Sequence, residues 1–214
     1  MGISMEELRE KRDQEWRKQL RDRLSVKERR ELPRLKMPEK APMDRIRGFM
    51  EVNNGLDPEE ARDEARRCLD CANPTCVTGC PVNINIPEFI KRVEQGDFAR
   101  AAQSLKSTNA LPAICGRVCP QETQCEEKCI YNKMKKNPVG IGNLERFVAD
   151  YERNSGKISV PETAPSNHLK VAVGGSGPAG LTAAQEMAKR RYEVTVFEAL
   201  HQYGGVLVYG IPEF

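Results

Sequence analysis

Polar and charged residues dominate positions 5–24, where apolar side chains are too sparse to line a helix face and mixed charges recur at i,i+4 spacing. Strong helix formers in that pattern predict a solvated helix with little core, on which Trp16 and Leu20 offer a small docking face; the competing reading is a frayed terminal helix resting on its own protein. A second helix is expected after Ser25, whose spacing from Glu28 fits a capping box; Pro33, Pro38 and Pro42 then break the chain into extended pieces. Asp57-Pro58-Glu59-Glu60 reads as a helix start, with an N-cap aspartate, a proline at the first helical position and acids near the positive end of the dipole. That helix runs into Cys68. Further helices are expected over 87–95, 98–106, 125–134 and 141–153, so the first 150 residues read as mainly helical. At 155–168 prolines and small polar residues replace this pattern, which reads as a linker. Beyond it the period changes: an apolar run at 169–173, a helical stretch at 181–189 and a β-rich stretch at 193–197 give the order β-α-β.

A chain of 214 residues can bury one sizeable core or two small ones, which agrees with a boundary near 168. The net charge of +3 is concentrated at the start: residues 1–36 hold twelve Lys/Arg against eight Asp/Glu, leaving 22 against 23 elsewhere. A near-neutral body has no broad phosphate-binding face, so no nucleic-acid partner is expected. No apolar run is long enough to cross a bilayer, and MGISMEELREKRDQEW carries charges where a signal peptide needs its apolar segment. No membrane association and a cytoplasmic location are therefore expected. Eight cysteines in a reducing compartment then point away from a disulfide framework and towards metal or redox chemistry.

The cysteines fall in two groups of four, Cys68, Cys71, Cys76, Cys80 and Cys115, Cys119, Cys125, Cys129. The first has the spacing C-x2-C-x4-C-x3-C-P, close to the compact run with which bacterial ferredoxins hold [4Fe–4S] clusters and unlike the two distant knuckles of a zinc ribbon. CVTGCP at 76–81 recurs as CGRVCP at 115–120, so two clusters are expected. In two-cluster ferredoxins the cysteine before proline serves the other cluster. By that logic Cys68, Cys71 and Cys76 share one centre and Cys80 crosses to the second; the competing arrangement gives each quartet its own cluster. A zinc-stabilised interaction module is the non-enzyme alternative.

VAVGGSGPAGLTAA holds the spacing G-x-G-x-x-G at Gly175, Gly177 and Gly180, between an expected strand and an expected helix. Glu198 follows 23 residues after Gly175, at the end of the second strand, where a carboxylate can accept from ribose hydroxyls. The first glycine permits the tight turn, the second lets the backbone approach a pyrophosphate, and the helix N-terminus favours its charge. A dinucleotide site follows, with FAD and NAD(P) both open. No general acid–base pair or nucleophile stands out, and His168 and His201 read as surface residues, so no catalytic side chain is assigned.

In order along the chain, RCLDCANPTCVTGCPVNINIPEFI, ICGRVCPQETQCEEKCI, IGNLERFVADYE, VAVGGSGPAGLTAA and GGVLVYGIPEF resemble the small (β) subunit of NADPH-dependent glutamate synthase. An NADPH:ferredoxin oxidoreductase subunit and the N-terminal part of dihydropyrimidine dehydrogenase share this arrangement. The likeness covers about residues 35–214. It implies a fold class of an α-helical two-[4Fe–4S] domain followed by the start of an α/β Rossmann FAD-binding domain. The expected divisions are a charged helical extension over 1–35, the cluster domain over 36–154, the linker over 155–168 and the β-α-β opening of the FAD domain over 169–214. Carried over by position, Cys68, Cys71, Cys76 and Cys129 would hold one cluster. Cys80, Cys119, Cys125 and Glu145 would hold the other, with Cys115 outside both. FAD would rest on Gly175, Ser176, Gly177, Pro178, Ala179 and Gly180, with Glu198 on its adenosine ribose and Gly204, Gly205 and Val206 near the flavin. NADPH would bind a later domain, beyond Phe214. The implied role is electron transfer from NADPH through FAD and the clusters to a large glutamate synthase subunit, or to an equivalent acceptor subunit for ferredoxin or pyrimidine chemistry. Gly174 and Arg191 depart from the family pattern, standing in place of an apolar strand residue and a helix-ending glycine.

Overall fold

The computed structural model describes residues 3–158, 160 and 165–211; Ser159 and Pro161–Ala164 of the expected linker, and Pro212–Phe214, lie outside the described residues. The chain divides into two compact units, one of Met1–Glu39 and Asn53–Ile158, the other of Lys40–Val52 and Ser159–Phe214.

The first unit begins with α1 (Met5–Arg12), α2 (Glu15–Arg23) and α3 (Val26–Glu31). Where one solvated helix is expected over 5–24, there are two, because tertiary bonds pin a corner between them. The Arg12 Nε donates to the Asp70 carbonyl at 2.7 Å, and Arg21 Nη1 donates back to the Arg12 carbonyl at 2.8 Å. Nor are these helices merely solvated: Leu8, Arg17, Leu20 and Arg29 are buried. The Ser25 and Glu28 capping box is formed. In the second unit's excursion lies α4 (Pro42–Arg45); the chain re-enters the first unit beside an isolated bridge between Glu39 and Asn53.

Then follow α5 (Pro58–Arg66), α6 (Thr75–Thr78), α7 (Ile86–Gln95), α8 (Phe98–Lys106), α9 (Pro112–Val118), α10 (Ile130–Lys133) and α11 (Ile141–Ser155). Asp57 caps α5 by accepting from Glu59 and Glu60 N–H at 2.8 Å each. The helix expected over 125–134 shrinks to α10, because Asn132 Nδ2 donates to the Glu126 and Glu127 carbonyls and holds 125–129 as turns. The core packs Ala61 and Ala65 of α5, Phe89 and Val93 of α7, Ala101 and Leu105 of α8, and Leu144 and Val148 of α11, all closed to solvent.

Charge is buried beside this core. Arg29, 1 % exposed, donates to both Glu94 oxygens at 3.0 and 2.8 Å and to the carbonyls of Leu20, Leu24 and Arg66. Arg67 pairs with Glu64 at 2.6 Å and donates to the Asn137 and Pro138 carbonyls. A guanidinium stays charged when buried, so burying it is tolerated only with such full pairing. Long side chains reaching backbone carbonyls therefore sew residues 3–35 to the rest of the unit.

In the second unit β1 (Lys170–Gly174) and β2 (Glu193–Phe197) pair in parallel, Lys170 opposite Glu193 and Gly174 opposite Phe197, with α12 (Pro178–Lys189) as the crossover. A short α13 (Val206–Tyr209) follows. α12 begins at Pro178, three residues before the expected start, because Gly177 is its N-cap and Pro178 its first residue. Arg191 takes the left-handed conformation, φ +76°, at the helix end. Among the described residues no helix is long and apolar enough to cross a membrane.

Candidate metal centres and nucleotide loop

The four thiols of Cys68, Cys71, Cys76 and Cys129 line one pocket. Its walls are apolar: Ile86, Pro87 and Ile90 from α7, Ile130 and Tyr131 from α10, and Val139 and Ile141 leading into α11. Cys129 thus joins three cysteines of the first quartet and Cys80 does not line this space. Burial raises the thiols of Cys68, Cys71 and Cys76, and Cys71 reaches about 12 with the Cys68 charge adding to the effect. At neutral pH these are thiols, so a metal binding there must release their protons.

The remaining thiols meet around α11. Burial and then the charges of Cys115 and Glu145 raise Cys119 to about 12; burial, Glu126 and Cys80 do the same for Cys125. Cys115 is also raised, by burial first and Glu145 next, and its Sγ lies 3.6 Å from Asn109 Oδ1. Glu145 projects from α11 at 5 % exposure, and Asn109 Nδ2 donates to its Oε1 at 2.7 Å. Burial raises this carboxyl to about 7, with the Asn109 bond opposing. The ordinary reading of Glu145, a surface acid pairing along its helix, fails because α9 packs over that face: a Cβ on Gly116 would lie 2.5 Å from the Arg146 nitrogen.

Two close approaches hold the cysteine segments together. A Cβ on Gly79, between Cys76 and Cys80, would come within 2.6 Å of the Gln124 carbonyl oxygen, and Thr75 Oγ1 donates to the Lys128 carbonyl at 2.5 Å. Among the described residues no three His, Cys, Asp or Glu side chains converge on a point that one metal ion could share. A four-iron cluster instead offers a separate corner to each ligand, and a thiol-lined, water-poor pocket suits it. Asn109, Lys91 and Glu94 escaped sequence reasoning: Lys91 Nζ donates to the Cys68 carbonyl and to Glu94, both at 2.6 Å. Lys91 and Glu94 at i,i+3, directly after Ile90 and Val93, were the available signal.

At the nucleotide loop, Gly175 has φ +89° and donates to the Phe197 carbonyl at 2.7 Å, closing the turn onto β2. A Cβ on Gly177 would meet nothing within 4 Å, leaving the α12 N-terminus open to a ligand, whereas one on Gly180 would collide with the Gly175 carbonyl. The first glycine turns, the second leaves room and the third permits close packing, as a dinucleotide loop needs. Pro178 and Ala179 form the first turn of α12. Glu198 Oε2 accepts from the Ser176 N–H at 2.8 Å and from its hydroxyl, and Oε1 accepts from Leu200 N–H at 2.9 Å. The Ser176 hydroxyl, with these backbone bonds, holds Glu198 near 2. Ser176 Oγ in turn accepts from Gly204 N–H at 2.9 Å, a Cβ on Gly205 would lie 2.9 Å from Gly177 Cα, and Val206 stays exposed at the start of α13. The loop, Glu198 and the 204–206 segment are thus one assembly.

Comparison with known proteins gives two family matches. Residues 45–157 match the family described as dihydropyrimidine dehydrogenase domain II, 4Fe-4S cluster, and residues 173–208 match an NAD(P)-binding Rossmann-like domain. Among curated relatives, the glutamate synthase [NADPH] small chain of Azospirillum brasilense is 40 % identical over 182 residues, 84 % of this chain and 37 % of its own. The NAD-dependent dihydropyrimidine dehydrogenase subunit PreT of Salmonella typhimurium is 37 % identical over 77 % of this chain and 39 % of its own. Putative oxidoreductase UacF of Escherichia coli is 42 % identical over 78 % and 26 % respectively. The chain therefore spans less than two fifths of the length of these relatives. With more than half its residues inside the first match, the chain belongs to the dihydropyrimidine dehydrogenase domain II, 4Fe-4S cluster family.

Proposed function

We propose that this chain is the electron-transfer portion of a glutamate-synthase-type flavoprotein, carrying two [4Fe–4S] clusters and the opening of an FAD site. The observation that carries this reading is the pocket lined by Cys68, Cys71, Cys76 and Cys129. These four would hold one cluster; Cys80, Cys119, Cys125 and Glu145 would hold the other, with Cys115 hydrogen-bonded to Asn109 and left unligated. FAD would lie along Gly175–Gly180, with Glu198 at its ribose and Gly204–Val206 at its flavin. Bound there, the clusters would supply one-electron transfer and FAD would supply two-electron hydride chemistry with NADPH.

The protein's own part is to bind, orient and keep water away. Ile86, Ile90, Val139 and Ile141 exclude water from the first pocket. Asn109 aims the Glu145 oxygen, and Lys91 places a cation on the Cys68 carbonyl, where positive charge favours the more reduced, more negative centre. Glu198 holds Ser176 until ribose hydroxyls compete for it. The acceptor would be the flavin of a large glutamate synthase subunit. A second reading replaces it with a pyrimidine-reducing subunit, favoured by the comparable identity to PreT.

Anaerobic purification followed by iron, sulfide, zinc and flavin analysis of one sample tests the proposal. A brown protein with about eight iron and eight sulfide per chain is expected; colourless protein holding zinc without sulfide would sink it. Activity assays with separated large subunits of each type would then choose the acceptor.

A further inference from the structure

Asp70 stands between Cys68 and Cys71, is closed to solvent and takes a left-handed conformation, φ +51°. Aspartate reaches that region more readily than most residues with a Cβ, and contacts with its surroundings fix which conformation it keeps. Here the surroundings come from α1 and α2. Arg17 pairs with the Asp70 carboxylate, Arg21 Nη1 reaches Oδ2 at 2.6 Å, and Arg12 Nε donates to the Asp70 carbonyl at 2.7 Å. Two residues beyond Cys71, Asn73 Oδ1 accepts from Arg9 Nη2 at 2.6 Å. All four arginines lie upstream of residues 45–157, where the family match falls. On the other side Lys91 holds the Cys68 carbonyl at 2.6 Å.

We infer that α1 and α2 form a brace for the first cluster site, with Asp70 as the positioning residue through which they act. The inference rests on the cluster reading above. Loop 68–76 supplies three thiols and is helical only over α6, so its path depends on outside bonds. Asp70 is the one point where the carboxylate and backbone of that loop meet three guanidinium groups. Removing its charge leaves Arg17, 1 % exposed, buried without its counter-ion and loosens the hold of Arg17 and Arg21 on the loop between Cys68 and Cys71, leaving the Arg12 bond to the Asp70 carbonyl in place. The second site has no such contact with α1 or α2 among the hydrogen bonds described above, so the effect should fall on one cluster only.

The test uses the full chain, loaded anaerobically, with iron release to a ferrous chelator followed over time. Wild-type iron content comes first: a value far below about eight per chain fails the cluster reading itself and not the brace. Cys129→Ser identifies the iron pool of the first site by its loss. In Asp70→Asn that pool should leave about 10- to 100-fold faster, as when an outer-shell partner of a metal ligand is removed, while the other pool keeps its rate. Asp70→Glu should recover part of the difference. Equal rates for both pools, whether unchanged or both accelerated, would overturn the inference. If Asp70→Asn does not fold by circular dichroism, Arg21→Gln decides, since Arg21 is partly exposed and its loss leaves Arg17 paired. Selective acceleration in that variant supports the brace; wild-type release overturns it.

Discussion

Between residues 53 and 158 side chains such as Phe89, Leu105 and Leu144 are wholly shut off from water, whereas between 165 and 211 Ser176 and Gly204 alone are buried among the described residues. The contrast is not one of secondary structure, since both regions form their elements cleanly. It lies in what each element has to pack against. α7, α8 and α11 cover one another and close a core. Two parallel strands with a single crossover helix cannot do this: a parallel sheet is normally covered on both faces, and here each strand alternates between partial and full exposure. Leu169, Phe197 and Val206 are accordingly more than half exposed. The first unit closes a core of its own, while among the described residues of the second the β1–β2 ladder and α12 are joined by the polar node of Ser176, Glu198 and Gly204.

Matched substitutions put that contrast at risk. Phe89→Ala should cost about 3–5 kcal/mol in denaturant unfolding of the first unit, whereas Val196→Ala, at a half-buried strand position, should cost the second less than about 1.5 kcal/mol. Comparable losses would break the comparison. Nearly as large an effect is expected from Glu94→Ala, about 3 kcal/mol or more, because Arg29 and Lys91 are left buried without their carboxylate. Its counterpart, Glu193→Gln, removes the charge from an exposed side chain that meets His168 and the Ser166 hydroxyl, and should change stability by less than about 0.5 kcal/mol. Arg191→Gly should stabilise the second unit by about 0.5–1 kcal/mol, relieving the left-handed strain at a small cost in unfolded-chain entropy.

The smallest effect sharpens the polar node. Glu198 sits near 2, below its ordinary 4.5, so its contribution is fully present above about pH 4.5 and is lost as pH falls towards 2. In Glu198→Gln that part of the acid transition should disappear from near-neutral-to-acid chemical-shift titrations of Ser176 and Gly204. An unchanged titration would mean that the node does not hold the loop.

Locally coded features were legible in the sequence. Asp57 and Ser25 set caps through neighbours two or three residues away, the Gly175–Gly180 spacing sets a turn within six residues, and all three are formed. The grouping of Cys129 with Cys68, Cys71 and Cys76 was reached only through resemblance, because spacing says nothing of the backbone contact at Gly79 that brings the segments together. What stayed hidden was long-range charge. Arg17 with Asp70 and Arg29 with Glu94 span 53 and 65 residues, and no periodicity marks an arginine that will be buried. For that reason the helical stretch of mixed charge at 5–24 reads as solvated, or as resting loosely on its own protein, when it is a packed component.

The single turn of α6 has a geometric consequence. Gly79 N–H bonds to the Cys76 carbonyl and Cys80 N–H to the Val77 carbonyl, so residues 76–80 are wound and not extended. Four wound residues advance about 6–8 Å, against up to about 14 Å if stretched. The turn is a ruler: in the proposed arrangement, with Cys76 on one cluster and Cys80 on the other, it would set a short tether between the two and leave no slack for them to drift apart.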